Sequence, residues 1–403
     1  MSEFCRKGFR KALRSGKYVV EHFLDGAIFP VGIPMEQSRY NYQRIQFADP
    51  KESRKYYICT HKIFRMGKRH ISLKDLAEEL GVSISTVSRA LKNHPDISAE
   101  LTQKIQQLAH ERNYMPNPLA MGLLRQQTKM IGVIVPDIVT HFYASIISGI
   151  EEVASKHGYF CIISSSGESL QKEEESVNNL LKARVEGLIV CLSQETKEFS
   201  HFKRLIDNEI PLVFFDRVPS EMKVPTVTVD GVSAVKNIVH HFYENGCRRI
   251  AYISGPEHLS ITQNRNRGFR EGLKECGLPF EENLLVFCNL SPVDAMTAAK
   301  KLLALNPLPD AIFGINDTVA FAAMKEIKRQ GLKIPQDIAL VGFTDEFHST
   351  VVDPPLTSVT HPTFEIGKAA AGLFFKTTEK GQNFSENVVL QTELVVRQSS
   401  VRK

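Results

Sequence analysis

Residues 71–92 read I-S-L-K-D-L-A-E-E-L-G-V-S-I-S-T-V-S-R-A-L-K. Leu73, Leu76, Ala77 and Leu80 recur at helical spacing, and Gly81 follows as a turn residue. A second short helix over about 85–91 puts Val87 and Leu91 on one face. Ser98 is an N-cap residue for a third helix, with Glu100 in its first turn and Leu101, Ile105 and Leu108 as its apolar stripe. Two helices joined by a tight turn containing glycine, with a third to complete the core, spell a helix-turn-helix unit.

Downstream, Pro116 and Pro118 stop the third helix, and Pro118 is tolerated in the first turn of a short helix through about Leu124. Residues 126–129 are polar linker. After Met130 short apolar runs alternate with amphipathic stretches. The runs are 131–135, 160–164, 187–192, 212–215, 226–229, 250–253, 284–287, 311–315 and 338–342, with helical segments at 144–157, 232–244, 267–276, 293–305 and 318–330. Buried β-runs alternating with helices predict parallel sheets covered on both faces. The stretch exceeds one comfortable core, so two similar α/β lobes are expected, with a ligand cleft where the carboxyl ends of their strands face each other. Upstream, residues 1–65 show no sustained period, although Phe4, Phe9 and Leu13 could line a short basic helix.

Composition narrows the function classes. Of 403 residues, 42 % are apolar and 24 % charged, as in ordinary globular chains. No apolar run approaches the ~20 residues of a membrane span, and the N-terminus lacks the apolar core of a secretion signal. Seven scattered cysteines without a C-x-x-C pair fit a reducing cytoplasm, which is the expected location, and argue against a disulfide framework or a zinc site. The charge is partitioned. Residues 1–65 hold 13 Lys/Arg against 6 Asp/Glu, residues 66–129 hold 9 against 6, and residues 130–403 hold 28 against 33, so a polyanion would meet the N-terminal part. Neither a nucleotide-binding glycine loop nor a metalloprotease or hydrolase motif occurs, and the adjacent His240 and His241 point about a quarter-turn apart on a helix. No enzyme activity, cofactor or metal is expected.

The run 71–92, above all V-S-I-S-T-V-S-R at 82–89, closely resembles the DNA-binding headpiece of the lactose-repressor (LacI/GalR) family of bacterial transcription regulators. Residue chemistry suits that role. Ala77 and Gly81 are small where helices cross and the chain turns. Ser83, Thr86 and Ser88 offer hydroxyls to phosphates, and Arg89 is long enough to reach a guanine edge. The resemblance places base reading at Ile84, Ser85 and Arg89, counts Ser72 among the DNA-binding residues, and implies that an apolar Ile84 meets a thymine methyl. The segment N-P-L-A-M-G-L-L-R at 117–125 is similar to the family's hinge helix, which implies that Leu123 wedges into the minor groove, with Leu124 as a competing candidate. Met121 and Gly122 depart from the commoner Arg-Ser.

The body resembles the family's effector domain through I-G-V-I-V-P at 131–136, V-E-G-L-I-V at 185–190, F-F-D-R-V at 214–218, I-N-D-T at 315–318 and L-V-G-F-T-D at 340–345. Mapped residue by residue, the ligand-binding candidates are Phe142, Tyr143, Asp216, Arg265, Asn316 and Asp345: an aromatic platform with polar groups for vicinal hydroxyls. Asp216 and Arg265 are expected to converge from opposite lobes, Arg265 from near the start of its helix. Asp317 is expected to cap the helix that follows it, and Thr344 stands where many relatives carry an aspartate.

The expected architecture is an α-helical helix-turn-helix headpiece (66–114), a hinge helix and linker (115–129), and an α/β two-lobed periplasmic-binding-protein-like effector domain (130–403). Its lobes would comprise 130–230 with 360–388, and 231–359 with 389–403. The resemblance implies a homodimeric transcription regulator, a repressor, that binds a pseudo-palindromic operator under control of a small effector, a sugar or sugar derivative. A sugar-binding protein without a DNA role is the rival; the headpiece would have no purpose there. Residues 1–65, an untranslated or disordered extension in this reading, are expected to be dispensable.

Overall fold

The computed structural model of the chain describes residues 42–44, 57–59, 71–114, 127–381 and 384–402. The chain divides into two compact units, Met1–Asn117 and Pro118–Lys403. In the first, β1 (Tyr42–Arg44) and β2 (Tyr57–Cys59) pair antiparallel, a ladder that the aperiodic sequence there does not announce.

Three helices follow: α1 (Leu73–Leu80), α2 (Ile84–Ala90) and α3 (Ala99–Glu111). Each start has a local cause. Ser72 accepts from the Asp75 N–H while the Asp75 carboxylate accepts from the Ser72 N–H, a reciprocal cap. Ser83 and Ser98 accept from the N–H of Thr86 and of Leu101. Gly81 closes α1 at φ 64°, a left-handed conformation that any side chain would strain. Leu76, Ala77, Val87, Ala90, Ile105 and Ala109 then form one small core, with Leu73, Leu80, Leu101 and Tyr114 packed around it.

The second unit holds two six-stranded sheets. The first lobe contains β3 (Met130–Val135), α4 (His141–Lys156), β4 (Phe160–Ser165), α5 (Leu170–Lys182), β5 (Leu188–Val190), α6 (Ser200–Asp207), β6 (Leu212–Phe215) and β7 (Thr226–Val229). The second lobe contains α7 (Gly231–Glu244), β8 (Ile250–Ser254), α8 (Ser260–Glu275), β9 (Leu285–Phe287), α9 (Pro292–Leu303), β10 (Ala311–Gly314), α10 (Asp317–Arg329), β11 (Ala339–Thr344), α11 (His348–Val351) and β12 (Thr357–Thr360). The chain returns to the first lobe for α12 (Thr363–Lys380) and β13 (Asn387–Leu390), and crosses again for β14 (Leu394–Val395). The strand orders are β13-β7-β6-β5-β3-β4 and β14-β12-β11-β10-β8-β9, parallel throughout except for β14.

Strands such as Leu188–Val190, Leu212–Phe215 and Ala311–Gly314 are apolar at every position because helices cover both faces of the sheets. Helices α4 and α12 meet through Gly149 and Gly367. A Cβ at either position would lie 2.1 Å from a backbone oxygen, of Phe364 or of Ile146, so only glycine permits this approach. The chain passes between the lobes three times, after β7, β12 and β13, always at the sheet edges where those strands lie.

Candidate functional site

Two regions collect the residues singled out from the sequence. The first is the outer face of α2. Val87 and Ala90 are buried against α1 and α3, which turns Ser83, Ile84, Ser85 and Arg89 outward, with Thr86 and Ser88 half-buried. Ile84 is 47 % exposed, an apolar side chain offered to solvent at the start of a helix. The Ser83 hydroxyl lies 2.7 Å from that of Ser85 and 2.8 Å from that of Thr86, so the three form one hydroxyl cluster at the helix N-terminus, where backbone dipoles favour an anion. Arg89 leans on Asp96 at 3.8 Å with both side chains exposed, a weak contact that leaves the guanidinium available. Ser72 is exposed as well, but its hydroxyl is engaged with Asp75. Leu123, Leu124, Met121 and Gly122 lie outside the described residues.

The second region lies between the two lobes of the body. Asp216 directly follows β6, with its backbone in the left-handed region at φ 56°. Arg265 sits in the second turn of α8, which begins at Ser260, seven residues before the segment expected from periodicity. Both are buried, and both line one cavity of about 30 Å3 with Val218, Thr228, Gly231 and Ser260. The Arg265 guanidinium lies over the Phe343 ring at 3.7 Å and donates to the Ile315 carbonyl. Burial pushes its pKa down while the nearby Asp216 charge pulls it back up.

Other candidates are placed differently. Phe142 is half-buried and meets the His361 ring edge-on at 4.9 Å. Tyr143 is no exposed platform: it is buried in the first-lobe core, its hydroxyl 3.9 Å from the Cys191 thiol. Asn316, not Asp317, caps α10, accepting from the Val319 N–H at 2.8 Å. The Asp317 carboxylate turns inward instead and takes hydrogen bonds from the hydroxyls of Ser358 and Ser349 and the N–H of Glu346. Burial pushes its pKa up, and those donors oppose the rise. Asp345 forms an ion pair with Arg397 at 2.6 Å, which occupies the carboxylate expected to face a ligand.

His361, which sequence reasoning passed over, joins the site. It lies where the chain crosses from β12 to α12, against Phe142 of one lobe and Phe343 of the other. Its Nε2 is 3.6 Å from Asp216, too long for a hydrogen bond, and neither ring nitrogen has a hydrogen-bond partner among the described residues. Burial pushes its pKa down to about 4, against the attraction of Asp216 and with the repulsion of Arg265, so the imidazole is neutral. The only sequence signal was Pro362 beside it, marking a turn at the end of a strand. Because an unfolded histidine titrates near 6.5, the unfolded chain binds the extra proton between about pH 6.5 and pH 4. Stability of the body is therefore expected to fall as pH drops through that window, by ~3 kcal/mol from this group. Denaturant midpoints measured against pH should show a shallower acid slope for His361→Gln; an unchanged slope would refute the assignment.

Sequence also gave no reason to single out Arg217, which is buried and grips Glu168 through both terminal nitrogens at 2.7 and 3.0 Å. Among the described residues no group of three or more His, Cys, Asp or Glu could hold a metal ion, and no helix is long and apolar enough to cross a membrane. His240 contacts Glu275 and His241 contacts Ser400, so the adjacent pair serves two separate packing contacts.

Comparison with known proteins covers both parts of the chain. Residues 72–117 match the family described as "Bacterial regulatory proteins, lacI family", and residues 128–398 match "Periplasmic binding proteins and sugar binding domain of LacI family". The chain is 31 % identical to the HTH-type transcriptional repressor CytR of Escherichia coli (strain K12), over 82 % of this chain and 96 % of that one. It is 32 % identical to catabolite control protein A of Priestia megaterium, over 82 % and 99 %. Among solved structures, the complex of the transcriptional regulator CelR with cellobiose superposes with a TM-score of 0.62 at 27 % identity, covering 82 % of this chain and 99 % of that one. The lac repressor dimer bound to operator and an anti-inducer shares the fold, with a TM-score of 0.72 at 24 % identity over 82 % and 99 %. A helix-turn-helix unit with an exposed hydroxyl-and-arginine helix, and a two-lobed body whose cleft gathers buried polar groups, thus carry one assignment: the chain belongs to the LacI family of bacterial transcription regulators.

Proposed function

We propose that the protein acts as a homodimeric repressor whose grip on a pseudo-palindromic operator is set by a small polyhydroxylated effector, a sugar or sugar derivative, held between the lobes. The observation that carries this reading is the meeting of Asp216 and Arg265 from opposite lobes at one cavity. A guanidinium fork can donate to two adjacent hydroxyls while a carboxylate opposite accepts from others, and His361 can do either through its two free nitrogens. A ligand that bridges such groups favours one lobe arrangement over another, and that difference is what can couple to DNA. The cellobiose complex of CelR supports a carbohydrate, and the operator-bound lac repressor dimer supports two-fold DNA recognition.

On the DNA side, Ser83, Thr86 and Ser88 would meet phosphates together with Ser72, while Ile84, Ser85 and Arg89 read bases and Leu123 wedges the minor groove. Arg89→Ala is expected to weaken specific binding by about 1–3 kcal/mol, and non-specific binding far less. A mobility-shift titration with the DNA upstream of the protein's own gene, at ~150 mM salt and with and without a sugar panel, measures both halves of the proposal. Wild-type affinity in Arg89→Ala would remove the base-reading assignment. DNA binding that no sugar alters would remove the effector class.

A further inference from the structure

We propose that Gln194 is a clasp across the mouth of the cleft: a positioning residue through which the first lobe holds two loops of the second. It lies in the loop after β5, at the carboxyl end of a first-lobe strand. Its backbone carbonyl accepts from His258 Nε2 at 2.7 Å, and its side-chain Oε1 accepts from the Leu290 N–H at 3.3 Å. His258 lies in the loop after β8 and Leu290 in the loop after β9, so one first-lobe residue bonds two second-lobe loops. Either charge state of the imidazole can donate from Nε2, so the contact does not depend on protonation of His258.

Gln194 is itself held from behind. Its N–H donates to Glu168 Oε2 at 2.7 Å, and Glu168 is gripped bidentately by the buried Arg217, the residue next to Asp216. A planar fork on a carboxylate is the most rigid ion-pair geometry available to side chains, so the loop is fixed before it reaches across. The link runs from the proposed effector site to the clasp in two contacts.

Topology places the clasp where it has leverage. The three crossings sit at the edge formed by β13 and β7 in one sheet and by β14 and β12 in the other. β8 and β9 lie three and four strand positions from β12, which at strand spacing is about 14–19 Å. A hinge rotation of about 10° about the crossings therefore parts Gln194 from its partners by about 3 Å, enough to break both hydrogen bonds. The cavity shared by Asp216 and Arg265 has room for about one water in this arrangement, so a larger guest requires the lobes to part and the clasp to release.

Hydrogen exchange on the full chain without ligand tests the clasp independently of any effector. Two amides report it: Leu290, bonded by Gln194 itself, and Val218, which donates across the lobes to the Ser260 hydroxyl at 3.2 Å, a contact made by neither altered side chain. In Gln194→Ala both are expected to exchange about fivefold to tenfold faster, with the sheet cores of both lobes unchanged. Gln194→Glu, which keeps an acceptor at the same reach, should restore both, and Glu168→Ala should reproduce the alanine effect from behind. Faster exchange at Leu290 alone would reduce the contact to a local one and overturn the clasp. So would unchanged rates at both amides, or acceleration spread through the cores.

Discussion

Leu76→Ala is expected to unfold the headpiece and abolish DNA binding while leaving the body folded. Leu76 has no solvent exposure and belongs to a core of six buried residues among those described. Removing its side chain forfeits burial and leaves a cavity that three short helices cannot close without losing their caps, a cost of about 2–5 kcal/mol. A unit this small has little more than that to lose, because its surface is large for its volume. The body has separate cores, built around residues such as Tyr252, Phe313 and Phe343 in one lobe and Phe202, Phe214 and Phe374 in the other, and none of them depends on Leu76. Calorimetry should show the headpiece transition missing and the body transition unmoved. Ile84→Ala is the informative contrast: the exposed side chain should cost little stability yet alter DNA recognition. A Leu76→Ala protein that binds DNA like the wild type would show that this core is not what orders the recognition helix.

Arg265→Ala is expected to lower effector affinity by about tenfold to 100-fold, because it removes a buried charged donor from the cavity and leaves the effector's hydroxyls unpaired there, at about 1–3 kcal/mol. Asp216 is only 6 % exposed and lines the same cavity as Arg265, whose guanidinium is stacked on Phe343 and feels the Asp216 charge. Lysine would not restore the site, since an ammonium on a flexible stem neither lies flat on the Phe343 ring nor offers a planar fork. Ligand-free DNA binding should remain near wild type, because neither residue belongs to the headpiece. Calorimetry over the sugar panel with Arg265→Ala and Arg265→Lys, alongside a thermal scan to confirm that the second lobe is folded, decides it. Normal binding and response in Arg265→Ala would take this cavity out of consideration as the effector site.

Sequence by itself determined what depends on neighbours along the chain. The headpiece helices follow from the spacing of Leu73, Leu76, Ala77 and Leu80, from serines at three N-caps and from Gly81, each acting within one or two turns of its own helix. The body strands follow from apolar runs that only a doubly covered sheet can bury. Tertiary structure decided what depends on which way a residue faces and what meets it from afar. Phe142 and Tyr143 are adjacent on α4 and so point about 100° apart; packing sends one to the cleft and the other into the core. Asn316 and Asp317 are both good capping residues, and the choice fell on Asn316 because its backbone is extended, at φ −145° and ψ 173°, while Asp317 is drawn to hydroxyls some thirty to forty residues away. Asp345 has the chemistry of a ligand group, but the C-terminal segment brings Arg397 against it. His361 and Gln194 carry no local signature, because each acquires its role only when two lobes, joined by three crossings, bring distant strand ends face to face.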